Sequence, residues 1–351
     1  MKKRIESIKN ILSDDTAALI NSDSNRFYLS GMKSSAGYIV ITRQKAVLLI
    51  DFRYFEKAKN TVTALEVVLL KNTFEQIKEI IGQADKLFVE TDSMSIDNAT
   101  LFEEKLGVEV LRDKTLSETI SHMRSIKSEA EIENIKAAQR LTDETFSYIL
   151  PRIETGRTEK EIMLDMEFFM RKNGSEGVSF DFIVVSGKNS SLPHGVPTDK
   201  KIEKGDFFTM DFGAVINGYR SDMTRTVAVG SVTDEQKKVY NTVLAAHSSA
   251  IKAACAGKKC VDIDKIARDI IEKDYSGCFG HGLGHSVGID IHESPSFNTR
   301  DNTLLRTGMV LTVEPGIYIE NKFGVRIEDM IIITDDGNID ITKSSKDLII
   351  L

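Results

Sequence analysis

The 351-residue chain has only three cysteines, Cys255, Cys260 and Cys278. So small and odd a number, with no CxxC pair, excludes a disulfide framework and supplies no redox or zinc-knuckle motif, so reduced, structural thiols are expected. Long apolar runs are missing as well. None approaches the roughly 18 residues that a membrane helix needs, so no spanning segment is predicted. The basic start Met1-Lys2-Lys3-Arg4 runs into Ile5-Glu6-Ser7-Ile8-Lys9, which interrupts any signal-peptide core. A cytoplasmic protein is the expectation. Positive charge is in deficit, and a formal net charge of −7 disfavours sequence-independent nucleic-acid binding, which depends on Lys and Arg neutralising phosphates. Proline is scarce: all five prolines lie in the second part of the chain, and no Pro-rich linker, repeat or low-complexity tract is present.

What is present is an ordinary globular composition, 41% hydrophobic and 28% charged. The length is about twice that of a typical domain and predicts two domains. Up to about residue 115, strand-like runs (Ala17–Ile20, Tyr38–Thr42, Ala46–Asp51, Leu65–Leu70, Lys86–Glu90, Val108–Leu111) alternate with helix-like stretches at Thr73–Ile81 and Ser95–Leu106. This predicts a small α/β domain over residues 1–118. The segments Asn25–Gly31 and Asp51–Lys57 within it read as structural. A helical period beginning at Ser128 and running to Ile149 opens a second domain, residues 119–351. A second helix is predicted at Thr158–Lys172, with Thr158 and Glu161 as a capping box and Asn173-Gly174 as the stop. Further helices are expected at Asp234–Ala254 and Asp262–Lys273. Strands are expected at Phe180–Val185, Phe207–Val215, Asp222–Val229, Val310–Val313 and Val325–Thr334.

Several of these strands carry an acid where an apolar residue would be expected. Asp211 interrupts Phe207–Val215, and a buried, unpaired carboxylate costs several kcal/mol, so it calls for a partner such as a metal ion. Asn217-Gly218 is a strong signal for a two-residue hairpin turn. Counting back from Ile216 opposite Tyr219 sets Asp211 opposite Thr224 and Gly213 opposite Asp222, which makes Asp211 and Asp222 diagonal neighbours on one face. Carboxylates so close repel unless a cation sits between them. Gly280-His281-Gly282-Leu283-Gly284-His285 is too rich in glycine for a helix and presents its histidines on closely approaching backbone. With His292, three of the six histidines fall within twelve residues. The stretch His292-Glu293-Ser294-Pro295-Ser296 has no second histidine four residues on, which removes the helical HExxH reading. His194, between Pro193 and Pro197, carries little by itself. Glu314 ends an apolar strand at Pro315-Gly316, and Glu328 lies inside another with Arg326 on the same face. Four carboxylates and one imidazole form a ligand set for two divalent ions, with the excess of carboxylate leaning toward Mn²⁺ over Co²⁺ or Zn²⁺.

These residues together resemble metallopeptidase family M24, the group of aminopeptidase P, prolidase and methionine aminopeptidase. The resemblance rests on Asp211, Asp222 eleven residues later, His285 in GHGLGH, Glu314 in EPG and Glu328 in VRIED. It extends through Asp23–Gly31, Asp51-Phe52-Arg53-Tyr54 and Arg124–Ser128, which look like the first domain and connecting helix of prolidases. It implies a creatinase-type N-terminal α/β domain followed by an α+β pita-bread domain, two αβ halves around a curved antiparallel sheet. By the same resemblance, Asp211, Asp222, His285, Glu314 and Glu328 are the metal ligands. His194, His281 and His292 position and polarise the scissile carbonyl, Glu314 carries a proton to the leaving amine, and Arg326 and Tyr318 lie beside the site and the substrate. The implied activity is hydrolysis of the Xaa-Pro bond at the N-terminus of short peptides by a homodimer, in the manner of an Xaa-Pro aminopeptidase, with a dipeptidase (prolidase) as the alternative. A non-catalytic binding module or a metal-free creatinase-like hydrolase would have lost ligand acids, and none is lost here. Methionine aminopeptidase typically lacks both the first domain and the Arg at the position of Arg326. Some prolidases hold a dipeptide carboxylate with a cation shortly after the HE pair; here none occurs before Arg300, which leans toward longer peptides.

Overall fold

In the computed structural model, which describes all 351 residues, the short apolar runs of the first unit pair into one sheet. Its strands are Thr16–Ile20 (β1), Tyr38–Ile41 (β2), Ala46–Ile50 (β3), Glu66–Leu69 (β4), Lys86–Val89 (β5) and Glu109–Leu111 (β6), in the order β4-β3-β2-β1-β5-β6. The β1–β2 and β2–β3 pairs are antiparallel and the others parallel. The predicted helices form at Thr73–Ile81 and Ile96–Leu106. Four helices that begin in this unit were not anticipated: Lys2–Lys9, Thr115–Ser125, Asp23–Ser30 and Phe52–Thr61. The last two start at caps, where the side chains of Ser22 and Asp51 accept from the backbone N–H groups of Asn25 and Arg53. In helices this short the cap sets the start, and apolar periodicity has too few turns to register. The unit comprises Met1–Arg124. The helix Thr115–Ser125 spans the boundary drawn from the sequence at residue 118, and Ser117 Oγ holds it to the first unit by donating to Asp92 at 2.9 Å.

The second unit, Ser125–Leu351, is built from two helix pairs, each covering one part of an antiparallel framework. Glu129–Ile149 and Glu159–Lys172, the latter with the Thr158–Glu161 capping box, pack on the sheet formed by Ile183–Ser186 (β7), Phe207–Phe212 (β8) and Met223–Ala228 (β11). Between β8 and β11 run the short strands Val215–Ile216 (β9) and Tyr219–Arg220 (β10). Asp234–Ala253 and Cys260–Glu272 pack on the second half. Its five-stranded sheet contains Gly284–Ser286 (β12), Glu293–Phe297 (β13), Val310–Val313 (β14), Asp329–Ile333 (β17) and Asn338–Asp340 (β18), and a separate ribbon pairs Gly316–Ile319 (β15) with Phe323–Arg326 (β16). This two-half arrangement agrees with the expected pita-bread domain. No helix is long and apolar enough to cross a membrane, and no disulfide forms among the three cysteines.

The two-residue period of the strands separates core from site. Along β8, Phe208, Met210 and Phe212 enter the core under the first helix pair, which turns Thr209 and Asp211 to the opposite face. The register is the one counted from the sequence: Ile216 pairs with Tyr219 and Asp211 with Thr224. Asn217 and Gly218 both adopt positive φ, 48° and 82°, as a type I′ turn requires. The same logic runs through the second half, where Leu311, Val313, Val325, Ile327 and Ile331 are core residues, leaving Thr312, Arg326 and Glu328 on the other side. One expectation needs correction. Val325–Thr334 is not one strand: it breaks at Ile327–Glu328, where the Glu328 N–H leaves its own sheet and donates to Thr224 O at 3.1 Å. That break joins the two halves and carries the Glu328 side chain to the hairpin.

The hairpin depends on Gly213, because a Cβ there would overlap the backbone carbonyl of Ser221. Gly213→Ala must therefore push the strands apart and is expected to destabilise the unit by about 1–3 kcal/mol. A thermal melt would register this as a fall in Tm of about 2–4 °C per kcal/mol for a unit of this size, and an unchanged Tm would refute the account.

Candidate metal centre and its pocket

On the face opposite the two cores, a cavity of about 1080 Å³ is lined by Asp211, Asp222, His281, His285, His292, Glu314, Arg326 and Glu328, with His194 and Arg300 in its wall. The sequence-predicted groups therefore line one pocket within the second unit, and Tyr318 reaches it through hydrogen bonds to His281 and Arg326. Each arrives from a different element: Asp211 from β8, Asp222 from the residue just before β11, His285 from β12, Glu314 from the residue just after β14 and Glu328 from the break before β17. Tight backbone approach brings β12 in. A Cβ on Gly284 would collide with Thr312 O, which explains the glycine preceding His285.

Ligand atoms of Asp222, His285 and Glu328 lie within 4.8 Å of one another. Glu314 Oε1 is 3.3 Å and Asp222 Oδ2 is 3.6 Å from His285 Nε2. Asp211 Oδ2 instead accepts from Arg326 Nη2 at 2.6 Å. The Oδ1 atoms of Asp211 and Asp222 are buried and have no hydrogen-bond partner, which is costly in a native interior unless a ligand completes them. Burial, then repulsion from Glu328, Asp211 and Glu314, raises the Asp222 carboxyl well above the usual range. Burial and the neighbouring Glu314 and Asp211 do the same to Glu328, and burial pushes Glu314 up to about 8. So many buried acids held together repel strongly without a cation.

The imidazoles suit the same centre. Burial lowers His285 to about 4, so the ring is neutral. Its Nδ1 lies 3.2 Å from Ser286 O. A carbonyl only accepts, so Nδ1 carries the proton and Nε2 directs a bare lone pair toward the carboxylates. A lone pair facing carboxylate oxygens at these distances is repulsive until a cation enters, and a backbone-anchored Nδ1–H is the usual support of a ligating histidine. The donor set thus fits divalent metal ions. His281, also lowered to about 4 by burial, is anchored differently. Its Nδ1 donates to Gly282 O at 2.7 Å, so Nε2 accepts from Tyr318 Oη at 3.0 Å, and Tyr318 Oη in turn accepts from Arg326 Nη1 at 2.7 Å. Both ring nitrogens of His281 are therefore engaged within the protein. His292 and His194 are exposed on the cavity wall, with the His292 ring centre 4.5 Å from that of His285.

Sequence reasoning missed the residues that hold the acids. Thr224 Oγ1 donates to Glu328 Oε2 at 2.7 Å and accepts from Arg326 Nε at 2.9 Å. Thr312 Oγ1 accepts from the His285 N–H at 3.0 Å and donates to Glu314 Oε1 at 3.2 Å. Both were within reach of the two-residue period: Thr224 faces Asp211 in the counted register, and Thr312 lies two residues before Glu314. Arg225 offered no such signal. It is fully buried, donates to the Glu328 carbonyl at 2.6 Å and pairs with Asp329 at 2.6 Å, clamping the strand break from behind. Lys127, buried beside Ser286 and Glu293 at 2.8 and 3.3 Å, props up β12 in the same way.

Comparison with known proteins agrees with this geometry. Metallopeptidase family M24 matches residues 133–335, and the creatinase/prolidase N-terminal domain matches residues 4–126. The Xaa-Pro dipeptidase of Pyrococcus furiosus is 38% identical over 99% of this chain and 100% of its own. Among solved structures, the Xaa-Pro dipeptidase from Bacillus anthracis superposes with a TM-score of 0.95 at 40% identity, covering 99% of both chains. The X-Pro aminopeptidase from Thermotoga maritima does so with a TM-score of 0.90 at 35% identity, covering 99% of this chain and 100% of its own. With its ligand-type acids and imidazole gathered in one pocket and both halves of its length matched, the chain belongs to metallopeptidase family M24 and carries that family's creatinase/prolidase N-terminal domain.

Proposed function

We propose that this enzyme hydrolyses the bond between an N-terminal residue and proline in short peptides. Asp211, Asp222, His285, Glu314 and Glu328 hold two divalent metal ions, Mn²⁺ in preference to Co²⁺ or Zn²⁺. The observation that carries the reading is the group of buried, mutually repelling carboxylates around the bare Nε2 of His285. Bound there, such ions act as Lewis acids and make water a competent nucleophile near neutral pH. The chain's own groups do the rest. Glu314, at the cavity wall, takes a proton on its carboxylate and passes it to the departing proline nitrogen. His292 and His194, free of hydrogen bonds to the protein, are the imidazoles able to donate to the developing oxyanion. His281, with both nitrogens engaged, acts through Tyr318 and Arg326 by keeping the guanidinium on Asp211. Three free cysteines agree with a reducing, cytoplasmic setting. The family resemblance supports a homodimer.

On substrate length, absence of a cation close after His292 favours Xaa-Pro-Xaa. One structural observation favours the dipeptide instead: Arg300 lines the cavity and has no acidic partner, leaving its fork available to a terminal carboxylate. Comparing kcat/KM for Ala-Pro and Ala-Pro-Ala, in wild type and Arg300→Gln, separates the two. If Arg300 holds the carboxylate, the substitution costs Ala-Pro about tenfold or more, in line with a charge-assisted hydrogen bond, and spares Ala-Pro-Ala. Equal effects on both would remove Arg300 from recognition.

Chelation is expected to abolish activity and Mn²⁺ to restore it, and undiminished turnover of a metal-stripped sample would defeat the metal assignment. Asp222→Asn and Glu328→Gln should each bind less metal and lose about 100-fold or more in kcat. The same variants, stripped of metal, should melt above the stripped wild type, because a repelling charge is gone. Lower melting of both stripped variants would speak against a like-charge cluster.

A further inference from the structure

Glu159 is completely buried at the first position of the helix Glu159–Lys172, and neither the capping box nor the pocket accounts for it. Its two oxygens take opposite ends of one segment. Oε1 accepts from Ser186 N at 2.7 Å, Ser186 Oγ at 3.0 Å and Asn189 Nδ2 at 3.1 Å. Oε2 accepts from Thr198 N at 2.9 Å and Thr198 Oγ1 at 2.7 Å. The chain between these ends carries His194. Two further contacts set that chain against the site: Ser190 Oγ accepts from Gly324 N at 2.9 Å, and Pro193 O accepts from Arg326 Nη1 at 3.1 Å. His194 itself is exposed and makes no hydrogen bond to the protein, so only the backbone beneath it decides where the imidazole stands.

We infer that Glu159 is a positioning residue for the reaction: one carboxylate, fixed on a rigid helix, ties the entry and exit of the 186–198 segment together and thereby aims His194 into the cavity. This rests on the proposed role of His194. The choice of a carboxylate follows from the chemistry, since every group facing Glu159 is a donor and only a side chain with two acceptor oxygens satisfies both ends at once. The helix N-terminus favours the negative charge as well. A catalytic imidazole that is left to wander loses its alignment with the reacting carbonyl, and misplacement of about 1 Å can cost on the order of 100-fold in rate.

Glu159→Gln turns one acceptor into a donor facing donors and releases one end of the segment. Thr198→Val is the milder variant: it removes one hydroxyl at the exit, which donates to Glu159 at 2.7 Å and accepts from Lys200 N at 3.2 Å and Asn189 Nδ2 at 3.4 Å, and leaves the bond from Thr198 N to Glu159 in place. Each should lower kcat/KM for Ala-Pro, Glu159→Gln by about tenfold or more and Thr198→Val by about threefold, with metal content unchanged. The deciding measurement repeats both substitutions in a His194→Ala background. If Glu159 acts through His194, their effects there shrink to less than about twofold, because residues working as one unit are not additive. The same fold-loss in both backgrounds would overturn the inference while leaving the role of His194 intact. A silent His194→Ala would overturn that role and the inference with it. Should Glu159→Gln fail to fold, the Thr198→Val cycle decides by itself, and no loss from Thr198→Val in the His194-containing protein would count against the inference.

Discussion

Mutual repulsion among buried acids is the constraint on which the second unit is built. Asp222, Glu314 and Glu328 are gathered around one imidazole with their ionised forms disfavoured by burial and by one another. Left to themselves, such groups would separate or take up protons. They are held together because each side chain leaves a strand whose opposite face is committed to a core. Moving Asp211 away would require Phe208, Met210 and Phe212 to leave the core beneath the first helix pair, and a buried aromatic or methionine side chain contributes about 1.5–3 kcal/mol each by burial. Apolar packing thus holds the electrostatic strain in place until metal ions relieve it.

The charges are also restrained from the side. Arg326 is the only cation set among these acids, and it bonds to Asp211, to Thr224 and, through Tyr318, to His281. Burial works against its charge, yet Tyr318, Asp211, Glu314 and Glu328 keep the guanidinium charged. Arg225 performs a related task behind the site, where it grips the backbone carbonyls of Thr224 and Glu328. The strand break at Ile327–Glu328 therefore has a physical cause. Continuing β16 straight into β17 would keep Glu328 in one half of the framework, whereas turning it onto Thr224 lets one residue from each half share a site.

Much of this was legible in the sequence, for identifiable reasons. The hairpin register could be counted because Asn217-Gly218 specifies a turn of known length and strands have an exact two-residue period, so the pairing of Asp211 with Thr224, which makes Asp222 its diagonal neighbour on the same face, follows from the sequence alone. The Thr158–Glu161 box set a helix start correctly because capping is local chemistry. The strand break was not legible, since Val325–Thr334 is uniformly β-forming and what divides it is a hydrogen bond to Thr224, a partner about a hundred residues away in sequence. Arg225 and Glu159 were invisible for the same reason. A charged residue in a sequence reads as surface unless the groups that satisfy it are known, and here those groups lie at Ser344, Ser345 and Asp329 in one case and at Ser186 and Thr198 in the other.

Histidine tautomers add a final distinction that residue identity alone cannot make. The GHGLGH loop presents two histidines of the same kind, both neutral through burial and both anchored by Nδ1 to the carbonyl of the following residue. What differs is the partner of Nε2. For His285 it is a set of carboxylate oxygens, so the lone pair calls for a cation. For His281 it is the Tyr318 hydroxyl, so the lone pair is already satisfied and the ring becomes a strut for Arg326. The four-residue spacing between them matters because β12 begins at Gly284, and Gly284 lies hard against Thr312. His285 is therefore inside the sheet while His281 remains in the loop before it. Two identical side chains in one short motif thus acquire different chemistry from where a strand begins.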